Sequence, residues 1–491
     1  MSKKISRRSS RREFLLQAGG AGVAISVPFG RGAFAQTGNK KKRNIVLILI
    51  DDQRYDAMSA LGHPFLETPA LDRMMAEGAY LKYAFVTTSL CSPSRASILS
   101  SQYAHRHGVL DNRTPLPADT PTFPALLQQN GYETAFVGKW HMGGASDAPR
   151  PGFDHWVSFR GQGTYYDPVF NINGARATEE GYVTDLITDH SVRWLKRSHE
   201  KPFFLYMSHK AVHAMFEPAR RHRKKYSEVK IPHPPSMADT GENYRGKPGW
   251  VRRQRNSWHG VDGMYDGQID FEIFVRNYNR TMLAVDESIG TLFETLRELG
   301  RDRDTLVIFT SDNGFQFGEH GLIDKRTMYE ESMRVPMLVR CPEIIPAGRT
   351  LEQLALNIDI GPTILDTAGA AIPETMQGRS FLPLVEGQST AWRDAILYEY
   401  FWERAYPQTP TVIGVRTNRW KYMNYHGMWS LNELYDLEND PQEMNNLIAR
   451  TNTGRDYTVD PAHEGILKQL QQKLRELAEQ SGIRNNPRWR V

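Results

Sequence analysis

Asn44–Ile50 reads NIVLILI and runs directly into Asp51 and Asp52. An unbroken apolar run of this length is typical of a strand that is buried on both faces of a sheet. Thr305–Ser311 reads TLVIFTS, a second run of the same kind, and it leads into Asp312. We therefore expect both runs to be buried strands, each ending in acidic residues.

Helix and strand patterns alternate around these two runs. Apolar residues at helical spacing predict helices at residues 70–77, 122–130, 182–198 and 271–299, the last ended by Gly300. Apolar runs predict strands at residues 133–138 and 202–208. This alternation predicts an α/β fold in which helices cover both faces of a mostly parallel sheet.

The pattern changes after about Pro373. Short strand patterns follow at residues 395–400, 411–417 and 420–424, and an amphipathic helix is predicted at 466–481. A chain of 491 residues is long enough for more than one domain. We therefore expect a larger domain at 36–373 and a smaller C-terminal α+β domain at 374–491, preceded by a separate segment at 1–35.

The composition is that of a globular protein, with 40% hydrophobic and 24% charged residues. The net charge of +5 comes from residues 1–35, which hold seven of the 61 Lys and Arg and one of the 56 Asp and Glu. The rest of the chain has a net charge of −1, which argues against a protein that coats nucleic acid. With only Cys91 and Cys341, a disulfide scaffold and a cysteine-rich zinc protein are excluded.

Residues 1–35 have the three parts of an export signal. The first 12 residues are polar and basic, residues 14–27 are mildly apolar, and Ala33-Phe34-Ala35 is a cleavage-type site. The apolar run is shorter than the ~20 residues that a membrane-spanning helix needs. Because Arg11-Arg12 precedes it, the segment resembles a twin-arginine signal. We expect a bacterial protein that the twin-arginine export machinery delivers to the periplasm or the medium, without stable membrane insertion.

Acidic residues stand where an α/β sheet binds its ligands. In open α/β sheets, ligands bind beyond the carboxyl ends of the strands. Asp51 and Asp52 follow one buried run, and Asp312 and Asn313 follow the other. Carboxylate and amide oxygens are hard ligands, suited to Ca²⁺ or Mg²⁺. Either pair alone is more often a turn former or a helix N-cap, so the metal site depends on both pairs coming together.

Cys91-Ser92-Pro93-Ser94-Arg95 places a cysteine where a helix begins. Pro93 suits the first turn of a helix, so the helix is expected to continue through residues 96–101. Cys91 then lies at the helix N-terminus, where free N–H groups favour anions, and Arg95 lies on the same face four residues on. The alternative is a buried inert cysteine.

Further basic residues follow other strands. Lys139 and His141 follow the predicted strand at 133–138, and an extended chain puts both on one face. His213 follows the strand at 202–208, and Lys325 follows Asp312. Each alone is more often a solvated charge or a packed histidine. Together they predict a cation-rich site around a hard metal and a nucleophile, as a tetrahedral anionic ester requires.

The pattern C-x-P-x-R at residues 91–95 resembles the signature of type I sulfatases. Other blocks of this resemblance are GKWH at 138–141, SDNG at 311–314, GEHG at 318–321 with Lys325, and LYDLENDP at 434–441. The resemblance runs from about Asn44 to about Leu447. It implies an alkaline-phosphatase-like fold.

The resemblance also implies a modified cysteine and one metal ion. Cys91 would be oxidised to formylglycine by a formylglycine-generating enzyme, and the hydrate of this aldehyde would be the nucleophile. One Ca²⁺ would be held by the modified Cys91 together with the four residues at the strand ends, which are Asp51, Asp52, Asp312 and Asn313.

The basic residues take roles from the same resemblance. Arg95, Lys139 and Lys325 would steady the aldehyde hydrate and the sulfate oxygens. His213 would protonate the leaving alcohol, and His141 would help the sulfated hemiacetal release sulfate. Family members often carry Pro-His-x-Pro where this chain has VHAM at 212–215. Because His209 lies nearby, both His209 and His213 stay candidates for the general acid.

The resemblance implies a sulfatase, and the basic residues agree with it, since cations must neutralise the sulfate oxygens as the S–O bond breaks. Residues 319–321 and 329–332 are most similar to carbohydrate and glycosaminoglycan sulfatases, so a sulfated carbohydrate is the expected substrate. One alternative is a phosphoester or phosphonate monoester hydrolase on the same site, and another is a non-catalytic protein that binds sulfated glycans. The basic stretch 220–255 is either a surface that attracts a polyanionic chain or a solvated loop.

Overall fold

The computed structural model describes residues 41–426, 431–450 and 457–483, so the predicted export signal at 1–35 lies outside the described residues. The strands are β1 (Asn44–Ile50), β2 (Ala79–Leu81), β3 (Ala84–Phe85), β4 (Glu133–Lys139), β5 (His155–Phe159), β6 (Val169–Ile172), β7 (Ala175–Thr178), β8 (Phe203–Ser208), β9 (Thr305–Ser311), β10 (Gln316–Phe317), β11 (Ile323–Asp324), β12 (Met337–Arg340), β13 (Arg349–Leu351), β14 (Ala355–Leu356), β15 (Ala395–Tyr400), β16 (Thr411–Thr417), β17 (Trp420–His426), β18 (Glu433–Asp436), β19 (Ile448–Arg450) and β20 (Tyr457–Val459).

The α-helices are α1 (Pro69–Glu77), α2 (Cys91–Ser100), α3 (Ala104–His107), α4 (Phe123–Gln129), α5 (Val183–Leu195), α6 (Gly249–Gln254), α7 (Phe271–Glu298), α8 (Glu330–Met333), α9 (Ile360–Thr367), α10 (Leu382–Val385) and α11 (Pro461–Ser481). None of the helices in the described ranges combines the length and the apolar composition that crossing a membrane requires.

A ten-stranded mixed sheet forms the centre of the fold, in the order β13-β2-β12-β9-β1-β8-β4-β5-β6-β7. The five central strands, β9, β1, β8, β4 and β5, are parallel to their neighbours in this group. β12 pairs antiparallel with β9, and β6 pairs antiparallel with β5. The predicted α/β class is confirmed, and the two runs that predicted it are the adjacent strands β1 and β9.

β1 is buried along its whole length because both of its faces contact apolar layers. Val46 and Ile48 pack into one layer with residues of α1, α5 and α7. Ile45 and Leu47 pack into the opposite layer with residues of α2, α4 and α9. Each such side chain contributes about 1.5–3 kcal/mol when fully buried, so this strand needs an apolar residue at every position.

The long helix α7 follows the sequence prediction closely, and α5 departs from it. Asp270 caps α7, with its side chain accepting from Ile273 N at 2.8 Å, and Gly300 follows the helix at φ 65°. α5 ends at Leu195, three residues before the predicted end at Ser198.

β15 to β18 form a separate four-stranded antiparallel sheet, against which α11 packs through Leu470 and Leu474. The strands predicted at 395–400 and 411–417 have the same bounds, whereas β17 extends to His426 and β18 was not predicted. α11 begins five residues earlier than predicted, because Asp460 accepts from Ala462 N and caps it. The domain boundary at residue 373 stays a prediction.

The basic stretch 220–255 is a folded segment that contains α6 and short 3-10 turns at Arg220–His222 and Pro235–Met237. Five of its basic side chains are ion-paired: Arg221–Asp185, Arg223–Glu217, Lys225–Glu67, Arg252–Asp239 and Arg255–Asp262. These pairs account for five of the eleven Lys and Arg residues of the stretch, so both interpretations of the stretch stay open.

Candidate active site

The two acidic strand ends meet because β1 and β9 are paired in register. Ile50 is opposite Ser311, so Asp51 and Asp312 leave the sheet side by side. Asp52 has φ 65°, and its N–H donates to Asp312 Oδ1 at 3.0 Å. The chain thus turns sharply after Asp51, and both carboxylates of the pair face the same buried space.

The side chains at the two strand ends have the oxygen ligands of a cation site, and two of these oxygens lack a hydrogen-bond partner among the described residues. One carboxylate oxygen of each of Asp51, Asp52 and Asp312 lies within 4.8 Å of the others. Asp52 Oδ2 and Asn313 Oδ1 are buried without a hydrogen-bond partner. Burial, with the neighbouring Asp51 and Asp312, outweighs Lys325 and raises the pKa of Asp52 to about 7. A hard divalent cation would relieve this crowding of carboxylates.

Cys91 lies beside these carboxylates as the first residue of α2. Its Sγ is 3.5 Å from Asp51 Oδ1 and 3.2 Å from Lys325 Nζ. Burial raises the pKa of the Cys91 thiol well above its ordinary value, although Lys325 opposes the rise. The unmodified thiol is therefore neutral and a poor nucleophile at this position.

Three basic side chains contact the carboxylates from different elements. Arg95, one turn after Cys91, donates from Nε to Asp312 Oδ2 at 2.8 Å and from Nη1 to the Lys139 carbonyl at 2.7 Å. Lys139, at the end of β4, pairs with Asp51. Lys325 pairs with Asp52. Burial alone would raise the pKa of Asp51, but Lys139 and the other cations hold it well below its usual range.

The two histidines near residue 210 point to different places. His213 lines the cavity above the carboxylates, with Nε2 3.9 Å from Asp52 Oδ2. His209 is fully buried, and its Nε2 lies 3.3 Å from Ser288 Oγ on α7. Burial, followed by Lys139, lowers the pKa of His213 well below its ordinary value. Of the two, only His213 borders the space that a substrate would enter.

His141 lies on the Cys91 side of the site. Its φ is 51°, its carbonyl accepts from Ser92 Oγ, and its Nδ1 is buried without a hydrogen-bond partner. Burial, followed by Lys139, lowers its pKa well below the ordinary value. The structure therefore brings all the residues predicted for the site to one place.

A cavity of about 590 Å³ opens above these residues. Its walls include residues that the sequence analysis did not single out, namely Asn112, Gln162, Trp258, His259, Tyr265, Asp266, Gln268, Asp324, Arg326 and Tyr406. They come from separate segments, so no local pattern marks them as neighbours. Gln162 is an example, since its side-chain oxygen accepts a hydrogen bond from Lys139 Nζ although the two residues lie on different segments.

Lys210 is another residue that the sequence analysis missed. It is buried, and its Nζ lies 4.6 Å from the ring centroid of Tyr165. Tyr165 donates from its hydroxyl to the His213 carbonyl at 2.7 Å. Burial, followed by Lys139, lowers the pKa of Lys210 to about 8. In the sequence, only its position next to His209 could have marked Lys210 as a candidate site residue.

Comparisons with known proteins were made for the whole chain. A family model described as "Sulfatase" matches residues 43–370. A second model, described as "N-sulphoglucosamine sulphohydrolase, C-terminal", matches residues 318–480. The match of the first model covers both acidic strand ends and every residue predicted for the site.

Individual relatives match over most of their length. An N-acetylglucosamine-6-O-sulfatase of Bacteroides thetaiotaomicron is 34% identical in an alignment of 471 positions, and this alignment covers 84% of this chain and 83% of that protein. The human N-acetylglucosamine-6-sulfatase is 31% identical, over 86% of this chain and 83% of that protein.

A solved structure also matches the fold. It shows an enzyme in complex with its substrate D-glucosamine-2-N,6-O-disulfate, with a TM-score of 0.80 and 32% identity. The match covers 92% of this chain and 100% of that one. The likeness therefore includes the large sheet and the C-terminal antiparallel sheet.

Proposed function

The chain belongs to the sulfatase family and hydrolyses sulfate esters, and on this premise we propose that it removes 6-O-sulfate from a glucosamine-type sugar with Cys91 in its formylglycine form and one Ca²⁺. The observation that carries the proposal is the position of Cys91. Its Sγ lies at a helix N-terminus between the carboxylate cluster and Lys325. Such an arrangement serves an anionic tetrahedral group better than it serves a free thiol.

A bound Ca²⁺ and the formylglycine formed from Cys91 would complete the site. Asp51, Asp52, Asp312 and Asn313 would hold the Ca²⁺, since they offer only oxygen donors and two of these oxygens have no other partner. The ion supplies positive charge for the sulfate oxygens, and formylglycine supplies a hydrated aldehyde with one hydroxyl to attack sulfur and a second to expel sulfate.

The basic residues would bind and orient the sulfate. Arg95 and Lys139 are held by Asp312 and Asp51, so their positions are fixed before substrate binds. Lys325 reaches both Asp52 and Cys91 Sγ. Fixed cations stabilise the charge that moves onto the oxygens during S–O cleavage without reorganising at that moment.

His213 would hold the proton for the leaving alcohol at Nε2. Its Nδ1 contacts the Ala214 carbonyl and thus acts as a donor, so a proton on Nε2 makes the ring cationic. Burial, together with the site cations, disfavours this form in the free enzyme. A sulfate group in the cavity would raise the pKa of His213 and load the proton when substrate is present. On the opposite side, His141 would assist the release of sulfate.

The substrate class rests on the relatives and on the cavity. The Bacteroides and human relatives are named for N-acetylglucosamine 6-sulfate, and the enzyme in the solved complex binds a glucosamine 2-N,6-O-disulfate. The cavity of about 590 Å³ has room for a sugar ring, and its wall combines aromatic with polar side chains. We further propose that the protein is exported and that residues 36–373 form the catalytic domain.

Mass spectrometry of the active enzyme tests the modified cysteine. The peptide that contains Cys91 should carry an aldehyde or its hydrate in place of the thiol, and Cys91→Ala should abolish turnover while the fold is retained. Active enzyme that contains only intact cysteine at position 91 would contradict the proposal. Exhaustive chelation should abolish activity, and added Ca²⁺ should restore it.

A panel of defined esters tests the substrate. The enzyme should hydrolyse the sulfate ester of N-acetylglucosamine 6-sulfate faster than that of galactose 6-sulfate. It should also hydrolyse this sulfate ester faster than the phosphate ester of N-acetylglucosamine 6-phosphate. A higher kcat/KM for the phosphate ester would favour the phosphoester hydrolase. Binding of sulfated saccharides without any turnover by enzyme that contains formylglycine would favour the glycan-binding protein.

A further inference from the structure

A second cluster of ligand-type side chains lies outside the candidate active site. His320 belongs to a 3-10 turn between β10 and β11, Glu331 belongs to α8, and Glu443 lies after β18. One ligand atom from each of the three residues lies within 4.8 Å of the others, and all three side chains are buried. Three segments that are distant in sequence therefore meet in one small buried volume.

His320 is unsatisfied at this position. The residue is only 1% exposed, and neither ring nitrogen has a hydrogen-bond partner in the part of the chain that the structure describes. Ser236 and Tyr244 bind only its backbone. The ring packs against Tyr329 in a tilted arrangement, at 4.0 Å between ring centroids and an interplanar angle of 31°. A buried polar group without a partner costs about 1–3 kcal/mol, so a ligand that binds this imidazole would recover part of that free energy.

Glu331 is unsatisfied as well. Its Oε2 is buried without a hydrogen-bond partner, and no ion pair joins it to a base in the part of the chain that the structure describes. Burial, followed by Glu319 and Glu443, raises the pKa of Glu331 to about 8. Arg54 opposes this rise only in part, so the ionised form of Glu331 is disfavoured and has no ion-paired countercharge among the described residues.

The charged side chains around the cluster are already paired with one another. The ion pairs around the cluster are Glu319–Arg54, Glu330–Arg416, Glu330–Lys421 and Glu443–Lys421. Lys247 is directed at the Tyr435 hydroxyl and the Glu443 carbonyl. Glu443 Oε1 lies 2.7 Å from Lys421 Nζ and Oε2 accepts from Glu330 N at 2.8 Å, so a bound ion would share this carboxylate with Lys421.

We propose that His320, Glu331 and Glu443 bind one Zn²⁺ per chain, separate from the ion of the candidate active site. One imidazole nitrogen with two carboxylates is a borderline donor set that suits Zn²⁺, whereas the all-oxygen set at Asp51, Asp52 and Asp312 suits Ca²⁺. The ion would supply the missing partner of His320 and the missing countercharge of Glu331.

The position of the site defines its role. His320 and Glu331 follow strands of the central region, whereas Glu443 lies in the segment that follows the C-terminal antiparallel sheet. An ion bound by all three would cross-link these parts and stabilise the folded state. A cavity of about 510 Å³ reaches Glu331 and gives water and ions access. No catalytic step is assigned to this ion.

Metal analysis of the full-length, matured enzyme tests the site. The enzyme is stripped with chelator, titrated with ZnCl₂ in the presence of Ca²⁺, dialysed and analysed by mass spectrometry of the elements. We expect one Zn²⁺ per chain and a melting temperature several degrees above that of the zinc-free enzyme. A wild-type enzyme that retains no Zn²⁺ would overturn the proposal.

Variants separate the two ions. His320→Ala and the near-isosteric Glu331→Gln should weaken Zn²⁺ binding roughly a hundredfold or more, since loss of even an outer-shell partner costs about 10–100-fold. Both should keep bound Ca²⁺, whereas Asp312→Ala should lose Ca²⁺ and keep Zn²⁺. Loss of Zn²⁺ in Asp312→Ala with retention in Glu331→Gln would assign the zinc to the candidate active site. Because zinc content and melting temperature are the readouts, the result does not depend on the proposed sulfatase substrate.

Discussion

At the residue scale, the site depends on two residues that leave the extended conformation immediately after a strand. Asp52 has φ 65° after β1, and His141 has φ 51° after β4. Such a conformation costs roughly 1 kcal/mol for a residue other than glycine. On a continued strand Asp51 and Asp52 would face opposite sides of the sheet. The turn at Asp52 places the Asp51 and Asp52 carboxylates in one cluster. The turn also lets the backbone N–H of Asp52 donate a hydrogen bond to the Asp312 side chain.

The two histidines near residue 210 give a matched test of the general acid. His213→Gln should lower kcat on a sulfated sugar about a hundredfold or more, because a poor leaving alcohol needs a proton. The loss should be much smaller on an aryl sulfate whose phenol leaves without one. Initial rates on both substrates measure the difference.

His209→Gln is the control for this test. It should lower the melting temperature, since His209 contacts Ser288 inside the protein, and it should change kcat on either substrate only a few-fold. A larger loss of kcat on the sugar for His209→Gln than for His213→Gln would reverse the assignment.

At the element scale, β4 and β8 approach so closely that position 138 accepts only glycine. A Cβ at Gly138 would lie 1.8 Å from the Ser208 carbonyl oxygen, and φ is 119°. The next residue, Lys139, pairs with Asp51. The close contact between the two strands therefore determines where the Lys139 ammonium group lies.

Gly138→Ala should destabilise the fold by about 3 kcal/mol, because the two strands must separate to admit the methyl group. Chemical denaturation measures this change. Gly465→Ala is the matched control, since this glycine lies within α11 with no atom within 4 Å of the added Cβ. It should raise the free energy of unfolding by roughly 0.8 kcal/mol. Equal effects of the two substitutions would contradict this account of β4 and β8.

A second element-scale contact links α3 to the antiparallel sheet and to the end of α11. His105 Nδ1 lies 2.7 Å from Glu399 Oε2 on β15, and its Nε2 lies 3.0 Å from the Ser481 carbonyl. Burial opposes the charged ring, but Glu399 outweighs it and raises the pKa of His105. The charged form is thus favoured in the folded state.

The pH dependence of stability tests this contact. A raised pKa contributes stability that is complete below the unfolded pKa of about 6.5 and is lost as the pH rises through the folded pKa. At pH 6, His105→Gln should lower the free energy of unfolding by about 1–2 kcal/mol relative to wild type. The difference should shrink at pH 9. A difference that grows with pH would show that His105 is neutral in the folded protein.

At the scale of the whole molecule, the cavity wall joins parts of the chain that no single element contains. Trp258 comes from the folded segment that follows β8, and Tyr406 comes from the connection between β15 and β16. Trp258 is 42% exposed and packs edge-on against Tyr265, at 5.1 Å between ring centroids. An exposed aromatic side chain at the cavity is suited to contact a sugar ring.

Trp258→Ala should raise KM for the sulfated saccharide about five- to tenfold, the equivalent of ~1–1.4 kcal/mol, and leave kcat nearly unchanged. Steady-state kinetics on wild type and variant give both values. Trp402→Ala is the control, because Trp402 is 51% exposed but does not line the cavity. A loss of kcat alone in Trp258→Ala would show that the side chain orders the site and does not bind the sugar.

The sequence by itself determined the α/β class, the bounds of β1 and β9, and the identities of the acidic, cysteine and basic residues that cluster below the cavity, but not those of most residues in the cavity wall. These follow from local patterns, because the period of apolar residues and the residues that end a strand are set within a few positions. The signature at residues 91–95 likewise places Cys91 and Arg95 one helical turn apart without reference to the rest of the chain.

Only the tertiary structure decided which of these residues meet. The pairing of β1 with β9 brings Asp51 to Asp312, and the direction of each side chain separates His213 from His209. The same is true of the ion pair between Arg221 and Asp185 and of Gln162 beside Lys139. Contacts across many tens of residues depend on how strands pair and chains cross, and no local period in the sequence encodes that choice.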